Sequence, residues 1–436
     1  MKGRSLKAWR PGRGEWNRGA AAHLLRRAGF GASREEVERA LEAGLEATID
    51  DVLSRDEHDP ALLGGARHLV AAGNIEQLAA WWMALILGGG APLRERVTLL
   101  WHDHFATSDA KVDDVRLMYR QNQLLREHGL GDFRQLLHEV ARDPAMLLWL
   151  DGNENKRGHP NENFAREVME LFGLGIGNYT ERDVQEAARA LTGWGTKGRA
   201  FHYRPAEHDD GTKTIFGQTG DFGGEEAIDL VLAHPACARR IAARLLEELV
   251  APDLGEAAIE EAARALVDFD WNIARTIEAI VRSELFFSDR ARRSRIAGPV
   301  ELVAASVRAL EASVAPADAA RATAEMGQAL FRPPSVKGWD GGRDWINAGT
   351  WLARHNHLAR LAAAKGDARP DFARAFGTPD AARSAADAVL TVLAPDGCND
   401  GYRDAVVEAA ESCASTEAAL VLAAQAVLTS PEYQLT

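Results

Sequence analysis

Helical periodicity dominates this sequence and predicts an all-α fold, a large multi-helix assembly with a small irregular loop and short-strand insert around 195–224. Three observations carry that prediction. Apolar residues recur at three- and four-residue spacing through most of the chain. Strict polar–apolar alternation, the signature of half-buried strands, is nearly absent. Alanine-rich tracts, strong helix formers, fill 299–330 and most of 381–428.

The elements follow in order. Ordered structure is expected from about Trp16, through AAAHLLRRAGF. At Ser33 the run Ser-Arg-Glu-Glu is a capping-box pattern, in which a hydroxyl and a carboxylate each satisfy a backbone N–H at a helix start. The helix it opens carries Val37, Leu41 and Leu45 on one face. Helices follow around 75–88, closed by Gly88-Gly89-Gly90, and around 92–105, opened by Pro92. Longer helical tracts cover 113–128 and 132–150. The stretch DGNENKRGHP, 151–160, is dense in turn formers and reads as an ordered loop. Two more helices flank Gly173–Gly177, and 201–203 and 214–216 are candidate short strands. Helical spacing returns over 225–290. ARTIEAIVRSELFF and AAQAVLTSPEYQL share a faint likeness, each ending a helix on a serine followed by an aromatic. The expected division is a main helical domain, 16–366, with C-terminal helices, 367–436, packed on it; a single domain is the alternative.

Composition narrows the function classes. The chain has 436 residues, 46% hydrophobic and 26% charged, and a net charge of -13, which argues against a broad nucleic-acid surface. Cys237, Cys398 and Cys413 form no CxxC pair, so neither a disulfide framework nor a thiolate zinc site is expected. No apolar run is long enough to cross a bilayer. The basic start MKGRSLKAWRPGRGEW lacks an apolar signal core, and a cytoplasmic location is the expectation. No GxGxxG, Walker loop, GxSxG or kinase set stands in a supporting context.

The most informative segment is PNENFAREVMELFGLGIGNYTERDVQEAARALTGW, residues 160–194. Asn161 is a good helix start and Gly173 a natural stop. At about 100° per residue, Phe164, Val168, Leu171 and Phe172 share one face. Asn163, Arg166, Glu167 and Glu170 form a polar stripe opposite. Thr180 with Asp183 caps a second helix burying Val184, Ala188, Leu191 and Trp194. As a wet face, the stripe is a set of i, i+4 ion pairs, Glu162–Arg166 and Arg166–Glu170. Facing a cavity, Glu167 and Glu170 would bind a hard metal or share a proton while Arg166 and Asn163 orient a substrate.

Trp101-His102-Asp103-His104-Phe105 sits at a helix end. Residues two apart point about 200° apart on a helix, so His102 and His104 cannot ligate one ion without unwinding. His104, bordering the polar exit ATSDAK, is the candidate site residue; a core or capping histidine is the plainer reading. HDDGTK places His208, Asp209, Asp210 and Lys213 around an Asp-Gly turn. His208 beside Asp209 suits a general base with its orienting partner, or metal ligation together with Glu167 and Glu170; a turn held by its own Asp side chains is the alternative. In PPSVKGWDGGRDWINAGTWLARHN, residues 333–356, tryptophans and arginines can stack on a sugar or planar ligand, or pin a glycine-rich loop to the core.

Read together, HLLRRAGFG, WHDHF, DPAMLLWLD, the NENFARE block, HDDGTK and PPSVKGWDGGRDWIN resemble, in order, the bacterial domain of unknown function 1800 family, over about His23 to Tyr433. The resemblance matches at His104, Asn161, Glu162, Asn163, Arg166, Glu167, Glu170, His208, Asp209 and Lys213, and at Lys337, Gly338 and Trp339. It implies no reaction. By association it implies a sulfatase-like partner protein, and many relatives look exported, at odds with the cytoplasmic expectation.

The expected function is an enzyme with an acid- and histidine-rich site acting on a polar or anionic substrate. Its catalytic residues would be His104, Glu167, Glu170, His208 and Asp209, and its substrate-binding residues Asn163, Arg166, Lys213, Lys337 and Trp339. In the metal-assisted version, Glu167, Glu170 and His208 hold a divalent metal. The alternatives are a non-catalytic scaffold docking the sulfatase-like partner, and a carbohydrate-binding or carbohydrate-active protein using the Trp-rich loop.

Overall fold

The computed structural model describes residues 6–366 and 369–436. Residues 1–5 of the basic N-terminal stretch, and 367–368 at the expected domain boundary, lie outside the described residues. Helices carry the fold, joined by two small antiparallel hairpins. In one, β1 (Thr196–Lys197) pairs with β2 (Ala200–Phe201). In the other, β3 (Lys213–Ile215) pairs with β4 (Gln218–Gly220), with Lys213 opposite Gly220. The all-α expectation with an insert around 195–224 therefore holds; the expected strands at 201–203 and 214–216 lie one residue or so earlier, as β2 and β3, and each has an unexpected partner, β1 and β4. No described helix is long and apolar enough to cross a membrane.

Local chemistry sets the element ends. Ser33 forms the expected capping box with Glu36, and Thr180 forms one with Asp183. Gly89, left-handed at φ 66°, ends the helix Ile75–Gly88, and Pro92 occupies the first turn of Pro92–His104. The tract read as one helix over 132–150 is two, Phe133–Arg142 and Pro144–Trp149. Pro144 lacks the N–H a continuous helix needs, and Asp143 caps the second helix through Met146 N at 3.0 Å. The 113–128 tract starts at Val115 instead, after Asp113 turns left-handed at φ 49°.

Two large apolar clusters form most of the core, beside a small one of Ala21, Val37 and Ala40. The first gathers Leu24, Trp101, Phe133, Phe172, Ile241 and Phe286. The second gathers Trp82, Met118, Val303, Phe331, Leu358, Val389 and Leu428, so the C-terminal helices share a core with the middle of the chain. The helix Pro92–His104 feeds both: Leu93, Val97, Leu100 and Trp101 enter the first cluster, and Leu99 the second. Its end therefore lies on the seam between the two, where a polar side chain can be held without being fully enclosed.

Candidate functional site

The seam determines what each residue of His102-Asp103-His104 does. About 200° of helix separates the histidines, so they enter opposite cores. His102 packs against Trp82 and Phe331, and its Nε2 accepts the Phe331 N–H at 3.1 Å. Burial holds its pKa down at about 3, so the ring is neutral. His104 packs on Trp101 and Phe105 and donates from Nε2 to the Phe172 carbonyl at 2.9 Å. Burial, reinforced by Arg244 and Arg240, keeps it neutral too. Asp103, between them, points into a cavity.

That cavity holds about 580 Å³, within the range of about 300–1,000 Å³ common for small-molecule sites. One wall is Asp103 with Leu99 and Leu100; a second is Arg244, Glu247 and Glu248 from the helix Pro235–Leu249. Arg295 and Glu301 form the floor, and the loop from Trp339 to Trp345 closes the remaining side. Asp103 Oδ2 receives Arg244 at 2.9 Å, and Oδ1 accepts the Trp339 backbone N–H at 2.8 Å. Burial pushes the Asp103 carboxyl up to about 6 despite both donors. Beneath it, buried Arg96 bridges Glu248, at 2.8 Å, and Glu301. Arg295 adds a contact to Glu248 at 3.0 Å. Burial alone would raise Glu301, but Arg96 and Arg295 outweigh it and hold that carboxylate at about 2. The floor is thus permanently charged and internally paired, whereas Asp103 is poised to exchange a proton near neutral pH.

Trp339 lines this cavity as well as being a sequence-predicted ligand residue. The other predicted residues lie elsewhere. The NENFARE helix runs Glu162–Glu167 and then widens into a π-helical turn, Val168–Gly173. The expected face of Phe164, Val168, Leu171 and Phe172 packs on one core, and the widening adds Met169 to it. This turn packs on the helix end that carries Asp103, where His104 meets Phe172, and Arg240 reaches the Leu171 carbonyl at 3.4 Å. Glu170 accepts the Tyr179 hydroxyl at 2.5 Å. Glu167 is half-buried, and burial followed by repulsion from Glu170 raises its pKa, with Arg166 and Lys337 opposing. Asn163 reaches the Leu150 carbonyl at 3.3 Å. Arg166 pairs with Glu162 at 2.9 Å and with Glu181 at 2.7 Å, not with Glu170. Its guanidinium is engaged, as in the wet-face reading.

HDDGTK forms a third locality. His208 Nδ1 donates to the Thr192 carbonyl at 2.9 Å, while the Asp209 carboxylate belongs to Arg189, also at 2.9 Å, which holds it at about 2. The expected pairing of His208 with Asp209 is therefore absent: the carboxylate has a stronger cationic partner. Lys213, expected to bind an anion, is fully buried and donates to the Asp209 carbonyl at 2.5 Å. Among the described residues no three His, Cys, Asp or Glu side chains are grouped to hold a metal ion. Glu167 and Glu170 thus do not meet His208 as a ligand set: the two glutamates neighbour each other, whereas His208 is held at Thr192.

Sequence reasoning missed Asp103, Arg244, Glu248, Arg295 and Glu301. The histidines on either side drew attention away from Asp103. Arg244, Glu247 and Glu248 show a helical i, i+3, i+4 spacing within RRIAARLLEEL that could have flagged them. Glu301 and Arg295 become site residues only through tertiary packing.

The family model described as "Protein of unknown function (DUF1800)" matches residues 23–435. The chain belongs to the DUF1800 family. The match spans every wall of the cavity, from Leu99 to Trp345, so the cavity is built wholly from the DUF1800 region. No curated protein and no solved structure matches the chain.

Proposed function

We propose that this DUF1800 protein is an enzyme that binds a polar substrate in the Asp103–Trp339 cavity and moves a proton with the Asp103 carboxyl. The observation that carries the reading is Asp103 itself: a carboxyl lining a 580 Å³ cavity, fixed through both oxygens by Arg244 and the Trp339 N–H. A general acid or base works best with a pKa near the operating pH, and Asp103 lies near 6. Arg244 orients the carboxylate and stabilises its ionised form, and the paired floor of Arg96, Arg295, Glu248 and Glu301 keeps the site rigid. The NENFARE stripe does not line this cavity.

The test is turnover of p-nitrophenyl glycosides, esters and phosphates by the purified chain and by Asp103→Asn. The reading expects one class to be hydrolysed, with the Asn variant folded by circular dichroism and at least about a hundredfold slower. Equal rates in the two proteins would sink the role of Asp103. No turnover of any class would favour the scaffold reading.

A further inference from the structure

We infer that the ligand of this cavity is a neutral, hydroxyl-rich ring, a saccharide, seated against the indole of Trp345. The inference deepens the proposed function: it rests on the cavity being the ligand site, but not on Asp103 performing chemistry there. Charge is the first argument. The lining carries six carboxylates, on Asp103, Glu247, Glu248, Asp253, Glu301 and Asp340, against three guanidinium groups, on Arg244, Arg295 and Arg343. An anion would meet excess negative charge. The carboxylates are largely matched within the protein, Glu248 and Glu301 by Arg96 and Arg295, and Asp103 and Glu247 by Arg244, which leaves little unpaired charge to hold a cation. Arg343, whose guanidinium has no hydrogen-bond or ion-pair partner among the described residues, would repel one. A neutral ligand suits this balance.

Hydrogen-bonding capacity is the second argument. Arg343 offers free donors, and the Asp340 carboxylate, likewise unpartnered among the described residues, offers acceptors. Gln328 uses Oε1 to accept the Val300 N–H at 2.9 Å, which leaves its amide NH₂ as a donor. Donors and acceptors interleaved around one cavity suit hydroxyl groups, which do both at each oxygen. Aromatic surface is the third. Trp339 is buried against His102, with ring centres 5.7 Å apart, whereas Trp345 is half-buried, lines the cavity and has no aromatic partner among the described residues. An indole beside hydroxyl-binding groups matches the two-sided character of a sugar ring, apolar on its C–H face and polar at its rim.

The experiment is isothermal titration of the full chain with cellotetraose, xylotetraose and chitotetraose, with inorganic phosphate and spermidine as charged comparators. The expected result is saturable binding of at least one tetrasaccharide, weakened roughly tenfold or more by Trp345→Ala and by Asp340→Asn, and retained in Trp345→Phe. Asp340→Asn removes an exposed carboxylate and guards against a mere folding defect in the tryptophan variant. Failure of all three tetrasaccharides to bind at about 10 mM, or tighter binding of phosphate or spermidine, overturns the inference. Saccharide binding without any turnover overturns only the acid–base role of Asp103. Ester or phosphate turnover without saccharide binding overturns only the saccharide.

Discussion

Asp103 accepts the backbone N–H of Trp339 at 2.8 Å, tying the end of one buried helix to a loop 236 residues later in the chain. Gly338 makes that contact feasible. Its φ is +83°, and a Cβ there would stand 2.3 Å from Asp103 Oδ1 and 2.5 Å from the Asp103 carbonyl oxygen. Gly338→Ala should therefore cost about 2 kcal/mol or more, from left-handed strain plus the forced separation of loop and helix. Urea denaturation reads the cost, and a red-shifted tryptophan emission reads the displaced loop. Wild-type stability and emission together would show that the loop is not held in this way.

Stability should fall on mild acidification, and the sign follows from five buried groups. His23, His102 and His104 are held neutral in the fold, below their ordinary 6.5, so the stability they give above pH 6.5 is lost as the pH drops. Asp103 and Asp143 act oppositely. Burial raises both from 3.8 to about 6, so their contribution grows as the pH falls through 6. Three histidines outweigh two aspartates, so the net change between pH 7 and pH 5 is a loss of stability, on the order of a few kcal/mol. Asp103→Asn removes one compensating group and should steepen that loss by ~1 kcal/mol. Parallel wild-type and variant profiles in urea titrations at the two pH values would contradict the buried, raised carboxyl.

Arg96 offers a sharper stability test. It is fully buried between Glu248 and Glu301, and its removal leaves two buried carboxylates sharing Arg295. Breaking such a pair costs far more than the pair's net worth, so Arg96→Met should destabilise by ~3–5 kcal/mol. Adding Glu301→Gln should restore part of the loss, because it removes one stranded charge. A double-mutant cycle by chemical denaturation measures the coupling, and strict additivity would mean that the two side chains do not interact.

Local chemistry was readable from the sequence, and long-range placement was not. Ser33–Glu36 and Thr180–Asp183 were legible because capping boxes depend on residues three apart. The faint likeness of the two helix ends was real. Ser283 Oγ donates to Ile280 O and accepts from Phe286 N, and Ser430 Oγ repeats the pattern with Val427 and Tyr433. The π turn at Val168–Gly173 escaped because spacing arguments assume a regular helix. The site escaped for a different reason. His104 and His208 stood out by residue type, yet each spends a ring nitrogen on a backbone carbonyl. Asp103 gains its raised pKa from the seam between two cores, which exists only once helices far apart in sequence have packed.

Glu167 separates a structural from a functional reading of the NENFARE stripe. Its carboxylate is half-buried and is disfavoured first by burial and then by Glu170, more than Arg166 and Lys337 repay. Ionised Glu167 is therefore a small liability to the fold at neutral pH. Glu167→Gln keeps the shape and removes the charge, so it should leave stability unchanged or raise it slightly at pH 7. Glu170 differs, since it accepts the Tyr179 hydroxyl at 2.5 Å, and Glu170→Ala should cost ~1–2 kcal/mol by stranding that donor. Thermal melts of the two variants rank the effects. A strongly destabilised Glu167→Gln would overturn this assignment and make the stripe a structural network. A stable Glu167→Gln that abolishes turnover of the substrate found for the Asp103 cavity would extend the working site beyond that cavity to the stripe, through the π turn that His104 and Arg240 hold in place.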